Sequence, residues 1–98
     1  MEEYELINNE ESKQYEFHIG KYIPKIDYTI SQNNLIYLTH TEVPVALEGQ
    51  GIGSQLLSKV FADIEKKGLQ VVPLCSFITG YIKKHPEWSH IVAKDINV

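Results

Sequence analysis

Three glycines alternate with other residues in the middle of the sequence: Gly49, Gly51 and Gly53. They separate a stretch typical of a strand from one typical of a helix. Glycine lets successive main-chain N–H groups point at one spot, and the first turn of a helix adds unpaired N–H groups and the positive end of its dipole. Such a turn is typical of a nest for phosphate or pyrophosphate. A merely flexible turn is the alternative, because glycines at this spacing are a weak signal alone.

The surroundings of the glycines exclude two common phosphate-binding motifs. A dinucleotide fingerprint follows an early strand of a repeating βαβ chain, with an acidic residue about 20 positions on. A P-loop has Gly-Lys-Ser/Thr, but Gly53 is followed by Ser54 and Gln55. The glycines instead follow several segments typical of antiparallel strands.

The single cysteine, Cys75, lies between a predicted buried strand and a helix predicted to begin with Ser76 as its cap. The dipole of that helix would favour the thiolate, which is the nucleophilic form of the side chain. The alternative is a small buried hydrophobic side chain. A lone cysteine excludes an internal disulfide and favours a cytoplasmic location.

The clearest strand prediction is residues 35–43, which are rich in Ile, Leu, Tyr and Thr and stop at Pro44. Strict alternation gives two faces, with Ile36, Leu38, His40 and Glu42 on one and Leu35, Tyr37, Thr39, Thr41 and Val43 on the other. His40 and Glu42 are then neighbours ~6.6 Å apart along the strand. They are candidate acid–base groups, or else exposed or structurally paired strand residues.

The remaining elements complete an α+β chain. Two strands, residues 15–19 and 22–30, follow a polar break at residues 8–12 and precede a turn at residues 31–34. Period-3.6 apolar residues predict helices over residues 52–67 and 76–85, with a buried strand at residues 69–74 between them. Gly68 suits the position just past the first helix.

This order predicts a mixed, mainly antiparallel sheet with two C-terminal helices. Its last part is βαβ-like, so that the strands at 35–43 and 70–74 become parallel neighbours.

Length and composition exclude several classes of function. With 98 residues, 43% of them apolar, the chain has room for one domain, residues 1–98. The net charge of −4 argues against nucleic-acid binding, which needs a basic face. No window resembles a membrane span or a secretion signal. We expect no membrane or nucleic-acid partner and no metal site.

Four ordered segments, THTEVP, GQGIGSQLL, VVPLCSFITGYI and KKHPEW, closely resemble the GNAT acetyltransferase superfamily, in particular its small single-domain, YjdJ-type branch. The resemblance covers residues 35–88. The superfamily's coenzyme motif is Arg or Gln, two residues, Gly, any residue, then Gly or Ala. The frame here begins at Glu48, a carboxylate where the family has Arg or Gln, so it must face solvent or weaken binding.

The resemblance implies acetyl-CoA or coenzyme A as the cofactor and an amine, in a small molecule or a protein lysine, as the acceptor. It implies a set of cofactor-binding residues: Thr41, Val43, Gly49, Gln50, Gly51, Ile52, Gly53, Ser54, Lys84 and His85. It also implies catalytic roles: Glu42 as a base with His40 beside it, Tyr81 as a proton donor to the coenzyme sulfur, and Cys75 as a site residue that forms acetyl-cysteine.

Two other functions stay open, because Tyr81 also fits an ordinary apolar helix stripe and Cys75 also fits a core. One is a module that binds coenzyme A without turnover, and the other is a structural interaction domain. No helical pattern precedes Gly49, where larger members of the superfamily build the acceptor site. The acceptor site is therefore open, or is completed by a homodimer or a protein partner.

Overall fold

Five strands form one sheet in sequence order in this computed structural model, which describes residues 3–94. The strands are β1 (Ile7–Asn9), β2 (Gln14–Glu16), β3 (Lys25–Ile30), β4 (Leu35–Glu42) and β5 (Gln70–Pro73). The helices are α1 (Ile52–Lys66) and α2 (Ser76–Lys84), with 3₁₀ helices at Val45–Leu47 and Pro86–Ile91. The predicted domain, 1–98, extends to residues 1–2 and 95–98, which lie outside the described part.

The topology confirms the predicted mixed sheet. Strands β1 to β4 pair antiparallel with their neighbours, whereas β4 and β5 are parallel and are joined by α1. A parallel pair needs such a crossover, because its strands cannot be joined by a tight turn. The βαβ unit therefore brings the carboxyl ends of β4 and β5 to the same end of the sheet.

Both helices pack on one face of the sheet and share its core. The buried stripe of α1 is Ile52, Gly53, Leu56, Leu57, Val60, Phe61 and Ile64. Phe61 meets Tyr81 of α2 edge-on, with ring centroids 5.7 Å apart. Gly68 has φ 72°, and its N–H donates to Glu65 O, which confirms the predicted end of α1.

The structure corrects the predicted start of α2. Ser76 is the first helical residue rather than the cap, and Cys75 with extended φ and ψ occupies the cap position. Cys75 O accepts the N–H groups of Ile78 and Thr79, at 3.0 and 3.1 Å. The cysteine is therefore nearer to the unpaired N–H groups of the helix than the sequence suggested.

A β-bulge in β4 also corrects the prediction for the two faces of that strand. Asp27 of β3 pairs with His40, but the next residue of β3, Tyr28, pairs with Leu38, so Thr39 is an extra residue. Before the bulge, Ile36 and Leu38 point into the core. After it, Thr41 and Val43 point inward, and His40 and Glu42 point outward.

The outer face of the sheet carries charged residues in register. Lys25 of β3 lies between Glu16 of β2 and Glu42 of β4, and Asp27 lies opposite His40. Opposite charges that face each other across strands contribute roughly 0.2–1 kcal/mol each. Glu16 is buried and bonds to Gln14 and His18, at 2.5 and 2.6 Å, which lowers the pKa of its carboxyl despite the opposing effect of burial.

The first third of the chain differs from its prediction in strand limits. The short strand β1 was not predicted, and the polar break begins only after Asn9. The predicted strand at residues 15–19 ends at Glu16, because a tight turn closes there, with Ile19 and Tyr22 exchanging two hydrogen bonds of 2.9 Å.

Candidate functional site

A cleft opens where β4 and β5 part. Their pairing runs from Leu35 opposite Gln70 to Leu38 opposite Pro73, and Leu74 N then donates to Leu38 O at 3.0 Å. Beyond this point no described strand pairs with that edge of β4, residues 39–42. The main chain of β4 is thus accessible from the side at the carboxyl end of the parallel pair, where open α/β sheets bind ligands.

The cleft continues into an open cavity of about 520 Å³. It is bounded by the end of β4, the 3₁₀ helix Val45–Leu47, the start of α2, and the turn that contains Gly49, Gly51 and Gly53, called the glycine turn below. The lining residues are His40, Thr41, Glu42, Val43, Leu47, Glu48, Gly49, Gly51, Ile52, Gly53, Ser54 and Phe77. The cavity therefore gathers nine of the fourteen residues predicted for the site, together with Leu47, Glu48 and Phe77 as its further walls.

The glycine turn presents free donors to this cavity. Gly49 and Gly51 have φ 81° and 74°, in the left-handed region that glycine adopts at least cost, and Gly51 is the cap of α1. The first main-chain bond of the helix runs from Gln55 N to Gly51 O, at 3.0 Å. Six N–H groups before it donate to no acceptor within residues 3–94, those of Gly49, Gln50, Gly51, Ile52, Gly53 and Ser54. This arrangement fits an anion such as a pyrophosphate.

There is little room for a side chain at Gly53, for a reason that the sequence did not reveal. A Cβ at this position would lie 3.0 Å from Phe77 Cζ and 3.4 Å from Val43 Cγ2. Sequence reasoning missed Phe77 as a site residue. The available signal was a large apolar residue two positions after Cys75, and in the structure 42% of Phe77 is exposed, in the cavity.

Cys75 adjoins the cavity through two lining residues, Thr41 and Phe77, and is partly exposed. Burial acts to raise the pKa of its thiol, but the N–H of Phe77, the Thr41 hydroxyl, and the N–H groups of Ile78 and Thr41 outweigh it. The net pKa of the thiol is below its ordinary value. The surroundings of the sulfur therefore favour a thiolate.

His40 and Glu42 lie on the opposite face of β4 from Cys75. His40 Nε2 is 3.9 Å from Glu42 Oε1, and 59% of each side chain is exposed. Thr41, between them, points inward. The bulge thus divides the predicted catalytic residues between the two sides of the free edge of β4.

Besides Cys75, four predicted site residues lie outside the cavity lining. Tyr81 is buried against Phe61, and burial raises the pKa of its hydroxyl. The ring of His85 contacts that of Tyr81 at a tilt of 31°, with centroids 4.3 Å apart, and Lys84 is exposed at the end of α2. Gln50 is exposed, and its amide nitrogen donates to Ala46 O at 3.5 Å. The cavity thus has no contribution from the second half of α2.

Two features are absent from the part of the chain that the structure describes. Within residues 3–94, no group of three His, Cys, Asp or Glu side chains could hold a metal ion. In the same range, no helix has the length and apolar character needed to cross a membrane.

Comparison with known proteins agrees with this geometry. A family profile described as GCN5-related N-acetyl-transferase matches residues 14–91. The NMR structure of a GCN5-like protein from Staphylococcus aureus superposes with a TM-score of 0.72 at 24% identity, covering 95% of this chain and 91% of that one. No curated protein matches significantly. The family match over most of the chain identifies the protein as an acyltransferase that belongs to the GCN5-related N-acetyltransferase family.

Proposed function

We propose that the protein transfers an acetyl group from acetyl-CoA to an amine, through an acetyl-cysteine at Cys75. The observation that carries the proposal is the row of unpaired N–H groups at residues 49–54, which open into the cavity beside the free edge of β4. These groups would hold the pyrophosphate of the coenzyme. Bound acetyl-CoA would supply the activated acetyl group as a thioester.

The rest of the coenzyme would follow the cleft toward Cys75. The main chain of Thr41, Glu42 and Val43 lies along the free edge of β4, where an extended pantetheine arm can add as a strand adds to a sheet edge. Glu48 lines the cavity and is exposed. Its carboxylate must turn away from the bound phosphates, because two like charges repel.

The chemical step uses the nucleophile described above. The Cys75 thiolate attacks the thioester carbonyl, a new S–C bond forms, and the coenzyme leaves as a thiolate that takes up a proton. An uncharged acceptor amine then attacks acetyl-Cys75, the N–C bond forms, and the Cys75 thiolate is released. Glu42, with His40 beside it, lies across the free edge of β4 from Cys75, so in this scheme it accepts the proton of the amine through a bridging water.

The surroundings of the acceptor site are part of the same proposal. Both His40 and Glu42 are largely exposed, so an acceptor reaches them from solvent, either at an open site or at one completed by a second copy or a protein partner. A cytoplasmic location is also proposed, because a free, activated thiol persists in reducing compartments.

Calorimetric titration with acetyl-CoA and coenzyme A tests the binding site. Ser54→Pro removes one N–H in the first turn of α1 without removing a main-chain bond of the helix, and Ser54→Ala keeps that N–H while removing the hydroxyl. We expect Ser54→Pro to bind the coenzyme about 10- to 100-fold more weakly and Ser54→Ala to resemble wild type, since a bond to a charged group contributes ~1.5–3 kcal/mol. Equal affinities of the two variants would exclude this turn as the pyrophosphate site.

Two further measurements test the chemistry. Incubation with acetyl-CoA, followed by intact mass, should show one acetyl group on wild type and none on Cys75→Ala. Coenzyme release with a panel of amines should then depend on Cys75 and fall in Glu42→Gln. Binding without any acetyl transfer would instead identify a coenzyme-binding module.

A further inference from the structure

The hydroxyl of Thr41 is a buried polar group that the proposed reaction leaves without a role. The bulge at Thr39 turns Thr41 inward, away from the outer face where His40 and Glu42 lie. Its Oγ1 is inaccessible to solvent and has no conventional hydrogen-bond partner within residues 3–94. Buried hydroxyls are nearly always hydrogen-bonded, because leaving one unpaired costs free energy. The site therefore favours a state in which Thr41 has a better acceptor.

The Cys75 sulfur is the acceptor that this position offers. Cys75 comes shortly after the end of β5 and lies beside residues 39–42 of β4, which have no pairing with β5. Both the hydroxyl and the N–H of Thr41 act on the thiol, as do the N–H groups of Phe77 and Ile78 at the start of α2. A neutral thiol is a weak acceptor, whereas a thiolate accepts strong, charge-assisted bonds. Deprotonation of Cys75 therefore gives the orphaned hydroxyl a partner.

We propose that Thr41 is a positioning residue, whose buried hydroxyl donates a hydrogen bond to the Cys75 thiolate and holds the sulfur at the free edge of β4. The inference rests on the proposed function, in which this sulfur receives the acetyl group. Thr41 acts through Cys75 and does not itself react.

Charged side chains do not account for the same effect. On β4, His40 and Glu42 point to the outer face, and β5 contributes no titratable residue. The first turn of α1 contains no acidic residue, and the basic residues of α2, Lys83 and Lys84, lie in its last turn. The thiolate is thus stabilised by hydrogen-bond donors, and Thr41 contributes two of them.

The pH dependence of alkylation tests this role. Cys75 is the only cysteine of the chain, so intact mass after treatment with iodoacetamide reports on it alone. In Thr41→Val, which has the shape of threonine without the hydroxyl, we expect the apparent pKa of the thiol to rise by about one unit. At a pH below the pKa of wild type, alkylation should then be about tenfold slower, to the extent that the rate follows the thiolate fraction.

Two further variants separate the hydroxyl from shape. Thr41→Ser retains the hydroxyl and should restore most of the wild-type profile. Thr29→Val makes the same chemical change at an exposed position of β3 and should leave the profile unchanged. If circular dichroism shows that Thr41→Val does not fold, Thr41→Ala against Thr41→Ser makes the same comparison. The inference is overturned if the pH dependence of alkylation is the same in the variants with and without the hydroxyl. It is also overturned if the Cys75 thiol of wild type has an ordinary pKa.

The assay needs no coenzyme, so its outcome is distinguishable from failure of the proposed function. A Thr41-dependent thiolate in a protein that does not bind acetyl-CoA would refute the proposed function and retain the Thr41–Cys75 assignment. If the protein binds coenzyme A but its alkylation–pH profile is the same with and without the Thr41 hydroxyl, the Thr41–Cys75 assignment is refuted and the coenzyme site of the proposed function is retained.

Discussion

The ring of Phe77 leaves little room for a Cβ at Gly53. In Gly53→Ala the new Cβ would lie 3.0 Å from Phe77 Cζ, closer than the ~3.5–4.0 Å optimum for two carbon atoms. Overpacking of this kind typically costs ~1–3 kcal/mol. Gly53 has no positive φ, so alanine also gains up to ~1 kcal/mol of helix propensity. Because Phe77 is exposed enough for its ring to move, we expect a net loss of about 0–1 kcal/mol.

The same substitution should reverse its sign when the ring is absent. In a Phe77→Ala background only the propensity gain remains, so Gly53→Ala should stabilise the protein by about 0.5–1 kcal/mol. The coupling between the two positions is then about 0.5–2 kcal/mol, measured as a double-mutant cycle by urea unfolding. Each 1 kcal/mol corresponds to roughly 4–8 °C in thermal midpoint for a domain of this size.

A second glycine provides the matched control. Gly80 lies within α2, and a Cβ there would meet no atom within 4 Å. Gly80→Ala should therefore stabilise the protein by up to ~1 kcal/mol in both backgrounds. The reasoning about Phe77 is refuted if Gly53→Ala has the same effect with and without the ring.

Three further predictions concern stability. Gly51→Ala places a side chain at φ 74° and should lower the free energy of unfolding, measured in urea, by ~1–2 kcal/mol. An unchanged free energy of unfolding would argue against the left-handed cap. Burial opposes ionisation of Asp63, but hydrogen bonds from Lys67 and Tyr15 outweigh it and lower the pKa of the carboxyl below 3.8. Wild type should therefore be more stable than Lys67→Met at pH 7, and this difference should shrink as the pH falls through the lowered pKa. A difference that stays constant with pH would contradict the assignment. The hydrogen bond to Glu65 raises the pKa of His90 above 6.5. The stability difference between wild type and His90→Gln should therefore be fully present below pH 6.5 and vanish as the pH rises through the raised pKa. A stability difference that increases toward alkaline pH would contradict this assignment.

The sequence predicted the sheet class and the helices because these depend on repeated signals. The stripe of α1 repeats every 3.6 residues, and Gly68 ends the helix at the expected place. The parallel pairing of β4 and β5 followed from the need for a crossover. Strand β1 was missed because three residues, two of them asparagine, carry no strand pattern that differs from a turn.

The site was predicted less completely, because one extra residue changed its geometry. The bulge at Thr39 has no clear sequence signal, yet it reverses which side chains of β4 point inward. Strict alternation therefore placed Thr41 on the wrong face relative to Ile36 and Leu38. The contribution of Phe77 was also hidden, because an apolar residue near the start of a helix is typical of a core.

The charged outer face of the sheet has a consequence for residues 3–94, in which both α-helices lie on the other face. A sheet that is covered on one side only would normally present an adhesive apolar surface to other molecules. Here Lys25 and Asp27 of β3 and His40 and Glu42 of β4 lie in register on that face, so water is an acceptable neighbour. A slip of one residue in register would bring core side chains there instead. The same few side chains thus keep this face hydrated and hold the two strands in alignment.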